Sequence, residues 1–280
     1  MNHPTAEDIV REATAAFNAG QPDEARRLCE TGLDAAPGDP MLHHLLAAVL
    51  HSQSEFRSAR AHIESSLEQR PGNAAAHLLA ARIARAAGDF DGALSHLDRA
   101  IGIAPQREAF LEKARTLDQA SLQHANLRLA ARAAWRAILE AIPQHQEAAV
   151  RLGRLAWEDG DHAVAADLLE RAVANEAPAS VWFDLGLVRQ DLRDYAGAAT
   201  AYRKALETKP DLPEAHVNLG LNLQHAGELE SAMDCYRQAL RLRPDTFGRI
   251  AQAMTSAKTV QLWLDLGRLR RSLGSRSLGA

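Results

Sequence analysis

The chain is poor in cysteine and in aromatics, with two Cys, three Tyr, four Trp and six Phe in 280 residues. Cys29 and Cys235 stand far apart and outside any CxxC pattern, which excludes a disulfide framework or a thiolate metal site. Each falls where a helix would bury a small apolar side chain. Charge of one sign is also missing: 32 Lys and Arg face 36 Asp and Glu, for a net charge of −4. A chain so balanced argues against a general nucleic-acid or anionic-membrane binder, which usually needs a basic face. No apolar run approaches the roughly 18 residues of a membrane span. The opening segment MNHPTAEDIV has neither a basic n-region nor an apolar h-region, so the expected location is a reducing cytoplasm. Nucleotide loops, nucleophile elbows and HExxH helices are absent as motifs, so no catalytic residue and no cofactor is expected.

What is present is a period. Pro37, Pro71 and Pro105 are 34 residues apart, as are Pro210 and Pro244. Ala25, Ala59 and Ala93 share that spacing; Ala131 follows after 38, then Ala165, Ala198 and Ala232 after 34, 33 and 34. With these alanines at position 20, seven repeats result: 6–39, 40–73, 74–107, 108–145, 146–178, 179–212 and 213–246. Position 8 is small in six of the seven (Ala13, Ala47, Ala81, Gly153, Gly186, Gly220), and position 32 is proline in six. Each repeat reads as two helices. Small residues at positions 8 and 20 let them approach, large ones such as Leu169, Tyr202 and Tyr236 at position 24 fill the gap, and glycine punctuates the turn at Gly20, Gly88, Gly160 and Gly227. Proline at position 32 ends the second helix. No stretch alternates with the strand period.

Trp182, Leu185, Gly186, Tyr195, Ala198, Tyr202, Ala205 and Pro210 fall in the pattern of one known family. The chain resembles the tetratricopeptide repeat family, and the resemblance spans 241 of its 280 residues. It implies an all-α, right-handed superhelical solenoid in which the first helix of each repeat, helix A, lines a concave groove. The implied role is non-enzymatic binding of a partner peptide or protein segment there. On the family's groove positions stand His44, His51, Arg82, Arg85, Arg154, Trp157, Phe183, Gln190 and Gln224, the expected partner-binding residues. Arg82 with Arg85, and Arg154 with Trp157, lie three apart on one helix face. A guanidinium fork suits carboxylates, and Arg and Trp are frequent interface anchors. The chaperone-tail clamp of some relatives is not expected, because position 5 is never Lys and position 9 never Asn.

Three features depart from the pattern. The fourth repeat carries four extra residues around Gln119–Asn126 and Arg115 at position 8, readable as a surface extension or as a hinge. Residues 247–280 follow the last repeat, with Leu262, Leu266, Leu269 and Leu273 striped along one helix face as in a capping helix. Residues 241–280 carry eight Lys and Arg against two Asp and Glu, a net +6, which leaves −10 for residues 1–240. A self-associating scaffold that uses this basic end is therefore an alternative function, and an accessory subunit of a separately encoded enzyme is another. Twelve histidines raise the question of a metal. His43, His77 and His216 share position 4, a packing site, and His44 and His51 lie two turns (about 10 Å) apart, too far for one ion. No metal site is expected.

Overall fold

A computed structural model describes residues 5–174, 176–256, 270–271 and 273–274. Among them all regular structure is helical. The helices are α1 (Ala6–Asn18), α2 (Pro22–Ala35), α3 (Pro40–Ser52), α4 (Phe56–Gln69), α5 (Ala74–Ala86), α6 (Phe90–Ile103), α7 (Arg107–Ser121) and α8 (Arg128–Ala141). They continue with α9 (Gln146–Glu158), α10 (His162–Val173), α11 (Ala179–Asp191), α12 (Tyr195–Thr208), α13 (Pro213–His225), α14 (Leu229–Leu242) and α15 (Phe247–Ser256). The chain divides into a first lobe, residues 1–138, and a second, residues 139–280. In the first lobe α1 to α7 pack in sequence order, and α9 to α14 do the same in the second. The result is a tandem array of helix pairs, an all-α solenoid of repeats.

The size of two facing side chains sets each pair. All seven position-20 alanines are buried, as is every residue at position 24: Cys29, Ile63, Leu97, Trp135, Leu169, Tyr202 and Tyr236. Opposite Cys29, Ile63 and Leu97, position 8 is alanine; opposite Leu169 and the two tyrosines it is glycine, and only the fourth repeat, with Arg115 and Trp135, departs. A methyl group added at Gly186 would sit 2.6 Å from Cε1 of Tyr202, and one at Gly220 would sit 2.5 Å from Cε1 of Tyr236. Gly153 faces the smaller Leu169, and the same test there gives 3.0 Å. Outside the fourth repeat the two columns are complementary, one giving room for what the other inserts.

In every repeat but the fourth, the turn between paired helices has a left-handed residue at position 15. Gly20, Gly88, Gly160 and Gly227 hold φ of 74°, 82°, 81° and 86°, and Ser54 and Arg193 hold φ of 62° and 60° in the same place. The following amide then reaches back five residues, as from Asp194 N to Arg189 O at 2.9 Å, which caps the preceding helix. Asp89, Asp161 and Asp194 each accept from a backbone N–H in the first turn of the next helix.

In the fourth repeat the extra residues extend α7 to Ser121 and add a 3-10 turn, Ala125–Leu127, before α8; they lie within the first lobe. In the second lobe α15 packs on α13. Ile250, Ala253 and Met254 join Leu219, Leu223 and Tyr236 in one buried cluster, with Leu273 beside them. Leu262, Leu266 and Leu269 of the expected capping stripe lie outside the described residues.

Two outcomes follow for stability. Gly186→Ala should cost about 1–3 kcal/mol in urea unfolding, because the fully buried Tyr202 ring cannot yield. Combined with Tyr202→Leu, its cost should shrink, a coupling that a double-mutant cycle measures. Arg193→Gly should instead raise stability by about 0.5–1 kcal/mol, because it removes a side chain from a left-handed backbone.

Candidate interaction face

Within each lobe the A helices touch one another directly: α1 with α3, α3 with α5 and α5 with α7 in the first, α9 with α11 and α13 with α15 in the second. Their shared face holds most of the residues expected from the sequence.

In the first lobe the face centres on Glu112 of α7, whose side chain is only 6% exposed. Arg115 donates to it at 3.0 Å and Arg85 at 3.3 Å, and Arg82 Nε lies 3.6 Å away. Arg82 also pairs with Glu108, and Arg85 donates to Gln119 at 3.3 Å. The unusual Arg115 at position 8 thus belongs to a charge cluster. His51 packs its ring 5.8 Å from Phe56, and burial, followed by the charges of Arg82 and Arg85, pushes its pKa down against the pull of Glu112. His44 is half-buried with no hydrogen-bond partner at Nδ1, and burial lowers its pKa.

In the second lobe the face is a ladder of cross-repeat bonds. Arg154 of α9 grips Asp184 of α11 through Nε at 2.7 Å and Nη2 at 2.6 Å. Burial pushes the Asp184 carboxyl above its ordinary pKa, and Arg154 opposes the shift. Trp157 donates its indole N–H to Asp191 at 2.7 Å. Gln190 of α11 accepts from Asn222 of α13 at 2.8 Å, and Asn218 donates to the hydroxyl of Tyr202 at 3.4 Å. Phe183 lies half-buried with its ring 5.5 Å from that of Tyr202.

The structure differs from the sequence expectation in two ways. Arg82, Arg85 and Arg154 are not open forks, because each already holds a carboxylate of the next A helix. Gln224 lies inside, 4% exposed, where it donates to Ala253 O at 2.9 Å and accepts from Tyr236 at 3.3 Å. Its amide joins the last repeat to α15. Sequence reasoning missed Glu108, Glu112 and Asp184, and the bond that ties Asp191 to Trp157. The available signal was a carboxylate 26 to 34 residues after each Arg or Trp.

Among the described residues no group of three or more His, Cys, Asp and Glu could hold a metal ion. No described helix is long and apolar enough to cross a membrane.

Glu112→Gln should destabilise the first lobe by about 2–3 kcal/mol, because three guanidiniums lose their shared carboxylate while solvent still screens part of their charge. Urea unfolding followed by the fluorescence of Trp135, in a background with Trp157, Trp182 and Trp263 replaced by Phe, measures the loss.

The Tetratricopeptide repeat description matches residues 50–115, 119–180 and 183–246. No curated protein is similar in sequence. A crystal structure of MamA is 25% identical with a TM-score of 0.51, over 59% of this chain and 95% of that one. The pilF protein of Pseudomonas aeruginosa has the same fold, at a TM-score of 0.61 and 15% identity over 80% of this chain and 96% of that one. So does a structure of the APC/C hetero-tetramer Cut9-Hcn1, at 0.58 and 15% over 86% and 48%. The repeat lengths, the complementary columns and these matches agree: the chain belongs to the tetratricopeptide repeat family.

Proposed function

We propose that this protein–protein interaction module, itself non-enzymatic and cytoplasmic, holds an extended or helical segment of a partner protein along the face formed by its A helices. The observation that carries this reading is the cross-repeat ladder of the second lobe, which ties Arg154 to Asp184 and Trp157 to Asp191 without any partner bound. Side chains already ordered cost little further entropy on binding. Trp157 and Phe183 are half-buried and offer ring surface, while Arg154 and Gln190 offer polar contacts beside them. His44, His51, Arg82 and Arg85 provide the corresponding face in the first lobe.

Capture from a cell lysate tests the reading with two variants that differ in one respect. Trp157→Ala removes the ring, and Asp191→Asn keeps the ring while weakening its anchor. Trp157→Ala should lower the affinity for the captured protein by roughly 30-fold or more, the scale of an interface anchor. Asp191→Asn should lower it only a few-fold, and helicity should be unchanged in both. Full retention by Trp157→Ala would remove this face from the binding site.

The partition of charge, +6 in residues 241–280 against −10 in the remainder, favours one second reading, self-association through the basic end. Its signature is an assembly larger than the monomer at low ionic strength that dissociates as salt screens the attraction.

A further inference from the structure

Two pairs of histidines in the first lobe meet at equivalent register positions. His43 on α3 and His77 on α5 occupy position 4, and His62 on α4 and His96 on α6 occupy position 23. Nδ1 faces Nδ1 at 2.9 Å in the first pair and 3.0 Å in the second. The other ring nitrogen of His43 lies 2.9 Å from the carbonyl oxygen of Pro37, and that of His77 lies 3.0 Å from Pro71 O. A carbonyl only accepts, so Nε2 of His43 and His77 carries the proton and their neutral rings present a bare Nδ1. His62 and His96 must then donate from Nδ1. The ring centroids are 5.1 and 5.3 Å apart, close to the largest separation that the nitrogen distance plus two ring radii allows, so the facing nitrogens lie nearly on the line between the rings. A chelated cation would need the lone pairs to converge from one side. The geometry is that of one shared proton.

We infer that the two histidine pairs form an acid-sensitive latch between the paired helices of the second and third repeats. Each pair accepts one added proton, at the outer Nε2 of His62 or His96, with both of its hydrogen bonds intact. A second proton would set N–H against N–H. The separated rings of the unfolded chain accept both, so acid favours opening.

The surroundings do not cancel this. Glu30 and Arg26 of α2 face His62 with opposite charge. His96 meets Arg99 of its own helix with Arg60 and Glu64 of α4, and Glu68 lines the hollow that it shares with His77. Burial first, and the paired histidine next, lower the pKa of both His62 and His96. A folded-state value depressed in this way gives stability that is present above the ordinary imidazole value, about 6.5, and lost as pH falls below it. His44 and His51 of α3, also lowered, act in the same direction.

Amide hydrogen exchange on the full chain between pH 7.5 and 5, corrected for the intrinsic rate, tests the latch by segment. Protection in residues 40–103 should fall by up to about tenfold per pair for each pH unit below about 6.5. A His43→Asn/His77→Asn variant keeps an acceptor for His62 and His96 but takes no proton, so the slope should fall to the part due to His44, His51 and the burial of His62 and His96. His216→Asn is the control: its ring makes the same bond to Pro210 O at 3.0 Å, but Cys235 stands at its position 23. An unchanged slope in the double variant would overturn the latch. Imidazole nitrogen NMR on the wild type needs no variant. Over that range the four rings should take up two protons, and uptake of four would also overturn it.

Discussion

Everything in this chain depends on how closely two helices can approach when one carries a small residue at position 8 and the other a large one at position 24. Neither column is informative alone. Together they act as a lock repeated along the chain, with alanine against Cys, Ile or Leu in the first three repeats and glycine against Leu or Tyr in the last three. Because packing is close to crystalline in density, a single methylene at such a contact is felt. The glycines at 186 and 220 therefore accept the entropic cost of glycine inside a helix, about 0.5–1 kcal/mol, so that a tyrosine ring can be buried whole. The tyrosine hydroxyls then reach Gln190, Asn218 and Gln224, which links the packing inside a repeat to the polar bonds on the A-helix face.

The fold was legible because this lock is written in residue size, and size at a fixed period survives in the sequence. Helix ends were legible for the same reason, since four of the six left-handed turn residues are glycines that mark their place. Ser54 and Arg193 adopt the same conformation without that mark, held by the helices on either side. The face was half legible. Register placed Arg82, Arg85, Arg154 and Trp157 on A helices, but it describes one repeat at a time. The carboxylates that occupy these side chains belong to the next repeat, about one period on, where scattered Asp and Glu resemble solvated surface. Gln224 was misplaced for a related reason. Its neighbour across the face is α15, which lies beyond the last repeat and follows no period.

The fourth repeat shows how the array tolerates an exception. Position 8 is Arg115, where a small residue would sit, and position 24 is Trp135, fully buried. The arginine is accommodated because Glu112, one helical turn earlier, takes its charge together with those of Arg82 and Arg85. A defect in the packing column is thus compensated by an ion cluster on the face, at the repeat where the period also lengthens.

The cross-repeat bonds bear directly on the proposal that this face recognises a partner segment. A partner carboxylate aimed at Arg154 would have to displace Asp184, trading one ion pair for another of the same kind, and such an exchange yields little net affinity. A partner cation aimed at Asp184 or Asp191 meets the same difficulty from the other side. The charges are therefore poor sources of binding energy, although they set orientation and exclude segments of mismatched charge pattern. Affinity must come from groups that the ladder holds in place without saturating them. In the second lobe these are the exposed parts of the Trp157 and Phe183 rings: the indole N–H bond to Asp191 lies in the ring plane and does not itself cover a ring face. Under the proposed function, the ladder's contribution to recognition is then mainly entropic, because it presents these rings already held and leaves the incoming segment to lose most of the conformational freedom.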